Sequence, residues 1–180
     1  MSKEKLRKKI LKIRKSKYNL KFKISMIKLI NILKLNKFKK PVIGGYFPVN
    51  YEIDCLSLLN QFEKKNYKIS LPVIKKKKNM KFYQWSFKEP LNINKYGIPE
   101  PYKTKALLPD VIFVPIVAFD KNKFRIGYGG GYYDRYLQKI EKKKKILSIG
   151  FAFSFQEINK VNRNKFDKKL DYILTNKSLI

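Results

Sequence analysis

Between Pro109 and Pro115 the chain carries Val111 to Val114, four apolar residues with no polar position among them. A strand wet on one face alternates apolar with polar residues, so a run that is apolar throughout reads as a strand buried on both faces. Burial on both faces implies a central strand covered by helices on either side.

The rest of the chain supplies those helices and further strands. Ser2 can cap a helix through residues 3–16, where Leu6, Ile10, Leu11 and Ile13 form an apolar stripe and lysines fill the other faces. A second helix is predicted over 20–35, with Ile24, Ile27 and Ile30 along one side, before Pro41 restarts the chain in extended form. The run 42–47 reads as a short strand closed by Pro48. A helical stretch follows with Cys55, Leu58, Leu59 and Phe62 on one face. Residues 69–74 and 80–85 read as extended segments on either side of an exposed turn at Lys75 to Lys78. From Asn92 to Leu107, Asn and Pro residues with Gly97 predict an irregular loop. A turn at 120–123 precedes a glycine cluster that opens a helix ending in the lysine run 142–145. Strands are expected at 146–151 and 170–174. The alternation predicts one α/β domain over residues 1–180: a central, mostly parallel sheet flanked by helices in a Rossmann-like three-layer arrangement.

Composition narrows the function classes. With 44% hydrophobic and 14% aromatic residues the chain is too apolar for a disordered basic tail, despite a formal charge of +30. That charge would attract any polyanion. Only five of the 43 basic residues are arginine, however, and arginine's bidentate fork is the usual reader of bases and phosphates. A lysine surface favouring anionic ligands is therefore expected, without a specific nucleic-acid partner. A single cysteine and no histidine exclude an internal disulfide, a Cys/His metal set and a Cys-His catalytic pair. No stretch approaches the 18 or so apolar residues of a membrane span, so a cytoplasmic protein, expected as a monomer, is the reading.

The chemistry concentrates in RIGYGGGYYDRYL at 125–137. Gly127, Gly129, Gly130 and Gly131 allow backbone N–H groups to converge on one anion, and a helix opening at Tyr132 adds unpaired N–H groups and partial positive charge. Arg125 and Asp134 flank the loop as a charge clamp and a candidate Mg²⁺ ligand. The loop lacks the Gly-Lys-Ser/Thr ending of a Walker A motif, and Tyr132 stands where a dinucleotide fingerprint has its third glycine. By itself the segment fits either a phosphate site or a structural turn.

LPDVIFVPIVAFD at 108–120 followed by this segment resembles the signature of the 5-formyltetrahydrofolate cyclo-ligase family, also called 5,10-methenyltetrahydrofolate synthetase. KEKLR at 3–7, GYFPVNYEID at 45–54, YGIPEP at 96–101 and LDYILT at 170–175 resemble other family segments in the same order. The resemblance implies that Lys3 and Arg7 reach ATP. It implies that the loop Arg125, Ile126, Gly127, Tyr128, Gly129, Gly130, Gly131, Tyr132 and Tyr133 wraps the phosphates. Asp134 and Asp171 would hold magnesium, while Phe47 and Glu52, with Trp85 and Tyr96 as aromatic walls, would contact the folate. Phe166 precedes Asp167 where the family commonly carries a His-Asp pair.

The implied reaction moves the ATP γ-phosphoryl group to the formyl oxygen of 5-formyltetrahydrofolate. Attack by N10 then closes the ring to 5,10-methenyltetrahydrofolate, with ADP and phosphate released. Arg125 would offset charge and Tyr133 would hydrogen-bond near the formyl oxygen, and no protein nucleophile is needed. Two other readings stand beside it. One is a lysine-rich RNA-binding module whose Tyr132, Tyr133 and Trp85 stack on bases. The other is a different phosphate-handling enzyme on a similar fold, such as a sugar-phosphate isomerase.

Overall fold

A computed structural model describes residues 2–19, 21–76 and 79–180. Its helices are α1 (Lys3–Lys17), α2 (Met26–Leu35), α3 (Leu56–Lys64) and α4 (Tyr132–Ile140). Its strands are β1 (Ile43–Gly44), β2 (Ile69–Ile74), β3 (Met80–Gln84), β4 (Leu91–Ile93), β5 (Pro99–Pro101), β6 (Ala106–Leu107), β7 (Val111–Pro115), β8 (Ala118–Phe119), β9 (Arg125–Ile126), β10 (Leu147–Ala152) and β11 (Tyr172–Thr175).

Among the described residues the main sheet has seven strands in the order β11-β10-β7-β1-β2-β3-β6, while β4-β5 and β8-β9 form separate two-stranded ribbons. The five strands from β11 to β2 run parallel, and β3 and β6 add an antiparallel edge. The apolar run Val111 to Val114 lies in β7, near the middle of the sheet. Its Val111 and Phe113 point to one face, with α2 and α3, and its Ile112 and Val114 to the other, with α4. The expected α/β layering is thus present. The α1 helix packs Ile10 separately on Val117, Ala118, Ile126 and Val161, beside the β8-β9 ribbon.

Several boundaries differ from the sequence reading. The second helix begins at Met26, because Ser25 accepts from the Lys28 amide at 3.4 Å and so caps it there. Its buried face is Leu29, Ile32 and Leu33, while Ile27 is 73% exposed. Leu20, Lys77 and Lys78, included in the predicted helix and turn, lie outside the described residues. The first strand ends at Gly44, since the Tyr46 backbone turns to the Cys55 thiol, which accepts from its N–H at 3.4 Å and donates to its carbonyl at 2.9 Å. The region read as an irregular loop contains β4, β5 and β6. Asn94 makes the β4-β5 turn by accepting the amides of Tyr96 at 2.9 Å and Ile98 at 3.2 Å. The α4 helix stops at Ile140, before the lysine run, and the last strand runs from Tyr172 to Thr175.

Candidate functional site

After β1 the chain passes through α3 to β2 on one side of the sheet, and after β7 it passes through α4 to β10 on the other. The winding therefore reverses between β1 and β7, where the segments leaving their carboxyl ends diverge and open a crevice. Those segments are residues 45–55 and 116–131, which contain most of the residues singled out by the sequence.

The glycine loop leaves β9 at Ile126, a buried residue under α1. Gly129 has φ +97° and Gly131, the N-cap of α4, has φ +63°, both in the left-handed region open to glycine. Arg135 ties the loop to the helix by donating from Nη2 to the Gly130 carbonyl at 2.6 Å. Arg7 reaches across from α1, donating from Nε to the Gly127 carbonyl at 2.8 Å, and its guanidinium covers Gly129 so closely that a Cβ there would lie 3.3 Å from Nη2. Lys3, one helical turn earlier, pairs its Nζ with Asp167 Oδ2 at 2.5 Å. The structure thus brings Arg7 and residues 127–131 together at the first turn of α4, whose N–H groups have no intrahelical partners, and holds Lys3 at Asp167.

Arg125 and Asp134 meet behind the loop. Arg125, 6% exposed, donates from Nη1 to the Lys168 carbonyl at 3.1 Å, and its Nη2 pairs with Asp134 Oδ1 at 3.0 Å. Burial weakens the hold of Arg125 on its proton, and Asp134 opposes that. The same Asp134 oxygen accepts the Lys168 amide at 3.1 Å. Asp171 sits between β10 and β11, its Oδ2 accepting both the amide and the hydroxyl of Ser148 at 2.7 Å. Among the described residues no group of three or more His, Cys, Asp or Glu could hold a metal ion. Magnesium requires near-octahedral oxygen coordination and commonly takes one or two carboxylates plus phosphates and water. This donor set fits an ion carried largely by a nucleotide and does not fit an all-protein cage.

On the other wall, Phe47 is half-buried just beyond β1. Glu52 is 4% exposed and its Oε2 accepts the Val49 amide at 2.9 Å, whereas Oε1 is buried with no hydrogen-bond partner. Burial pushes the Glu52 carboxyl up to about 7, against the opposing effects of the Val49 amide, the Arg14 charge and the Tyr128 hydroxyl. Tyr133, half-buried on α4, has its phenol pushed well up by burial and by the nearby Glu52 charge. The loop and the Glu52 turn therefore face one another.

Two aromatic candidates separate. Tyr96, in the β4-β5 turn, places its hydroxyl 3.0 Å from that of Tyr132 and so joins the glycine loop. Trp85 follows β3, which runs antiparallel to β2 with Gln84 opposite Ser70, and this puts it at the end of the sheet away from the crevice. There it is core, 6% exposed, with its indole N–H donating to the Glu89 carbonyl at 3.1 Å.

Arg14 escaped the sequence reading. It is 1% exposed and binds the Asn50 carbonyl at 2.9 Å, the Ile116 carbonyl at 3.1 Å and the Tyr128 hydroxyl. Its spacing was the available signal: four residues after Ile10, it falls on the buried face of α1.

A sheet-reversal crevice lined by a glycine loop, a helix N-terminus and basic side chains from α1 defines a phosphate-binding α/β protein. The chain belongs to the 5-formyltetrahydrofolate cyclo-ligase family, whose sequence model matches residues 1–176. The 5-formyltetrahydrofolate cyclo-ligase of Haemophilus influenzae is 32% identical over 152 residues, 81% of this chain and 80% of that protein. Aquifex aeolicus 5,10-methenyltetrahydrofolate synthetase has a similar structure, with TM-score 0.76 and 32% identity, covering 99% of this chain and 92% of that one. The Mycoplasma pneumoniae 5,10-methenyltetrahydrofolate synthetase matches with TM-score 0.70 and 26% identity over 98% and 99% of the two chains.

Proposed function

We propose that this protein is an ATP-dependent ligase that converts 5-formyltetrahydrofolate to 5,10-methenyltetrahydrofolate, with ADP and phosphate released. The observation that carries the reading is the family match over residues 1–176, which runs through α1, the Glu52 turn, the glycine loop and β11.

A formamide carbon is a poor electrophile and its oxygen a poor leaving group. Transfer of the γ-phosphoryl group to the formyl oxygen corrects both, after which N10 attacks the carbon and gives up its proton, the C–O bond breaks and the oxygen departs as phosphate, which can carry that proton away. The protein's task is positioning and charge stabilisation. In this reading the amides of 127–131 and the first turn of α4 cradle the phosphates, with Arg7 and Lys3 above them. Arg125 acts from behind, fixing Asp134 and the start of α4. Glu52 hydrogen-bonds the pterin through Oε1, the oxygen without a partner, and Phe47 and Tyr96 line the folate's path. Tyr133 lies toward the formyl oxygen between the two walls.

Magnesium bound to the nucleotide would offset charge on the transferred group. Asp134 is the carboxylate we assign to it, through Oδ2, whereas Asp171 is tied to Ser148. No helix among the described residues is long and apolar enough to cross a membrane. With the lone thiol of Cys55 buried, we place the enzyme in the reducing cytoplasm, acting as a monomer.

The test is to incubate purified protein with 5-formyltetrahydrofolate and Mg-ATP and to follow the near-ultraviolet absorbance of the methenyl product. One ADP per product is expected. RNA binding without turnover would favour the stacking-module reading, and turnover without ATP consumption would favour an isomerase.

A further inference from the structure

We propose that Arg14 is a positioning residue that locks the glycine loop to the Glu52 turn, so that the nucleotide and folate walls of the crevice form one rigid unit. The inference rests on the reading of those two walls given above.

The geometry points to this because Arg14 bonds to three separate segments. Its Nε holds the Asn50 carbonyl at 2.9 Å, in the turn that carries Glu52. Its Nη1 holds the Ile116 carbonyl at 3.1 Å, in the connection after β7, and its Nη2 holds the Tyr128 hydroxyl, in the glycine loop. All three are neutral oxygens. Removing a guanidinium from water costs several kcal/mol, and neutral acceptors return less of that than a bonded carboxylate would, so the Glu52 charge nearby is the part of the surroundings that offsets it electrostatically. A leucine in the Ile10 stripe would serve packing alone.

The segments it joins need holding. Asn50 and Tyr51 are consecutive non-glycine residues at φ +49° and +62°, a left-handed pair that costs about 1–2 kcal/mol per residue. The bond to the Asn50 carbonyl stabilises that turn. Arginine is a donor only, so Tyr128 must act as acceptor toward Arg14, which leaves its single proton for another partner. Asn50 and Glu52 are the groups beside it: the Glu52 charge keeps the proton on Tyr128, the Asn50 side chain works the other way, and the hydroxyl in turn favours the charged form of Glu52. One end of this arrangement lies in the nucleotide wall and the other in the folate wall.

Two measurements decide it. The first is a double-mutant cycle in kcat/KM for 5-formyltetrahydrofolate at saturating Mg-ATP, using Arg14→Lys, Tyr128→Phe and the pair. Lysine keeps the charge but cannot fork to three acceptors. If Arg14 acts through Tyr128, each single variant loses about tenfold and the double variant also loses about tenfold, whereas independent roles multiply to about a hundredfold. Multiplication overturns the proposal.

The second is amide hydrogen exchange, which needs no turnover. Tyr128→Phe should raise exchange at residues 127–131, and Arg14→Lys at both 49–53 and 127–131, with β10 protection unchanged. Unchanged loops, or loss of protection spread evenly over the sheet, overturn it. A wild-type protein that makes no methenyl product would defeat the functional reading, and the exchange data would then decide the Arg14 lock alone.

Discussion

At the scale of single residues, the crevice is a set of charges held at a cost. Glu52 is the clearest: its carboxyl rises from 4.5 to about 7 through burial, so the folded protein holds this proton more tightly than the unfolded chain. The sign follows from linkage: the stabilising contribution is full below about 4.5 and is lost as pH rises through about 7. Glu52→Gln should therefore raise stability by up to about 3 kcal/mol at pH 8, with the gain shrinking toward zero near pH 4, while turnover falls. Urea denaturation at several pH values checks this, and a gain independent of pH would contradict it. For Asp134 the sequence offered a metal ligand, and the structure adds a partner, since Arg125 is left buried and unopposed if the charge goes. Asp134→Asn should lower stability by about 3 kcal/mol, near the lower end for breaking a buried pair because Asp134 is partly exposed. Thermal unfolding at two magnesium concentrations should show the same loss, while turnover recovers in part at the higher one. A wild-type melting point would remove the ion pair from the account.

Among the elements, what was legible followed how much each one buries. The strands β2, β7 and β10 and the apolar face of α3 were read nearly to the residue, because continuous or strictly periodic apolar runs leave few alternatives. Elements whose limits depend on a side chain bonding to backbone were missed: Ser25 starting α2, the Cys55 thiol ending β1, Asn94 turning the β4-β5 ribbon. From its spacing alone the glycine loop was legible as either an anion site or a structural turn, whereas its contact with Arg7 joins residues 120 positions apart and had no local signature. Trp85 misled because an aromatic residue in a strand reads the same at either end of the sheet, and only the antiparallel course of β3 sends it to the far one. The loop supplies its own test in Gly129→Ala, which meets both an unfavourable φ of +97° and the Arg7 guanidinium. It should raise the KM for ATP by about tenfold or more while leaving the KM for the folate within about twofold, since the cost of roughly 1–2 kcal/mol falls on the loop conformation. Equal effects on both substrates would mean that the loop does not belong to the nucleotide alone.

For the molecule as a whole, the net charge of +30 surrounds a site whose substrates are anions. Folates with longer polyglutamate tails should show a lower KM than the monoglutamate at low ionic strength, and about 0.5 M salt should abolish most of the difference, because exposed lysines act through a screened field. Equal KM values at low salt would reduce the lysine surface to composition. The fold class was legible at this scale because the sequence alternates helix and strand, whereas the antiparallel edge of β3 and β6 depends on long-range pairing. The contact between Lys3 and Asp167 joins two residues that are made far apart in time during synthesis. The α1 helix leaves the ribosome well before the surfaces that receive it, Val117, Ile126, Val161 and the turn at Asp167. At about 5–20 residues per second it waits on the order of ten seconds with Ile10 and Arg14 uncovered. A nascent chain halted before the turn at Asp167 would carry the glycine loop but lack one of the anchors of α1. The cover that α1 lays over the glycine loop therefore closes only after more than a hundred further residues have been made.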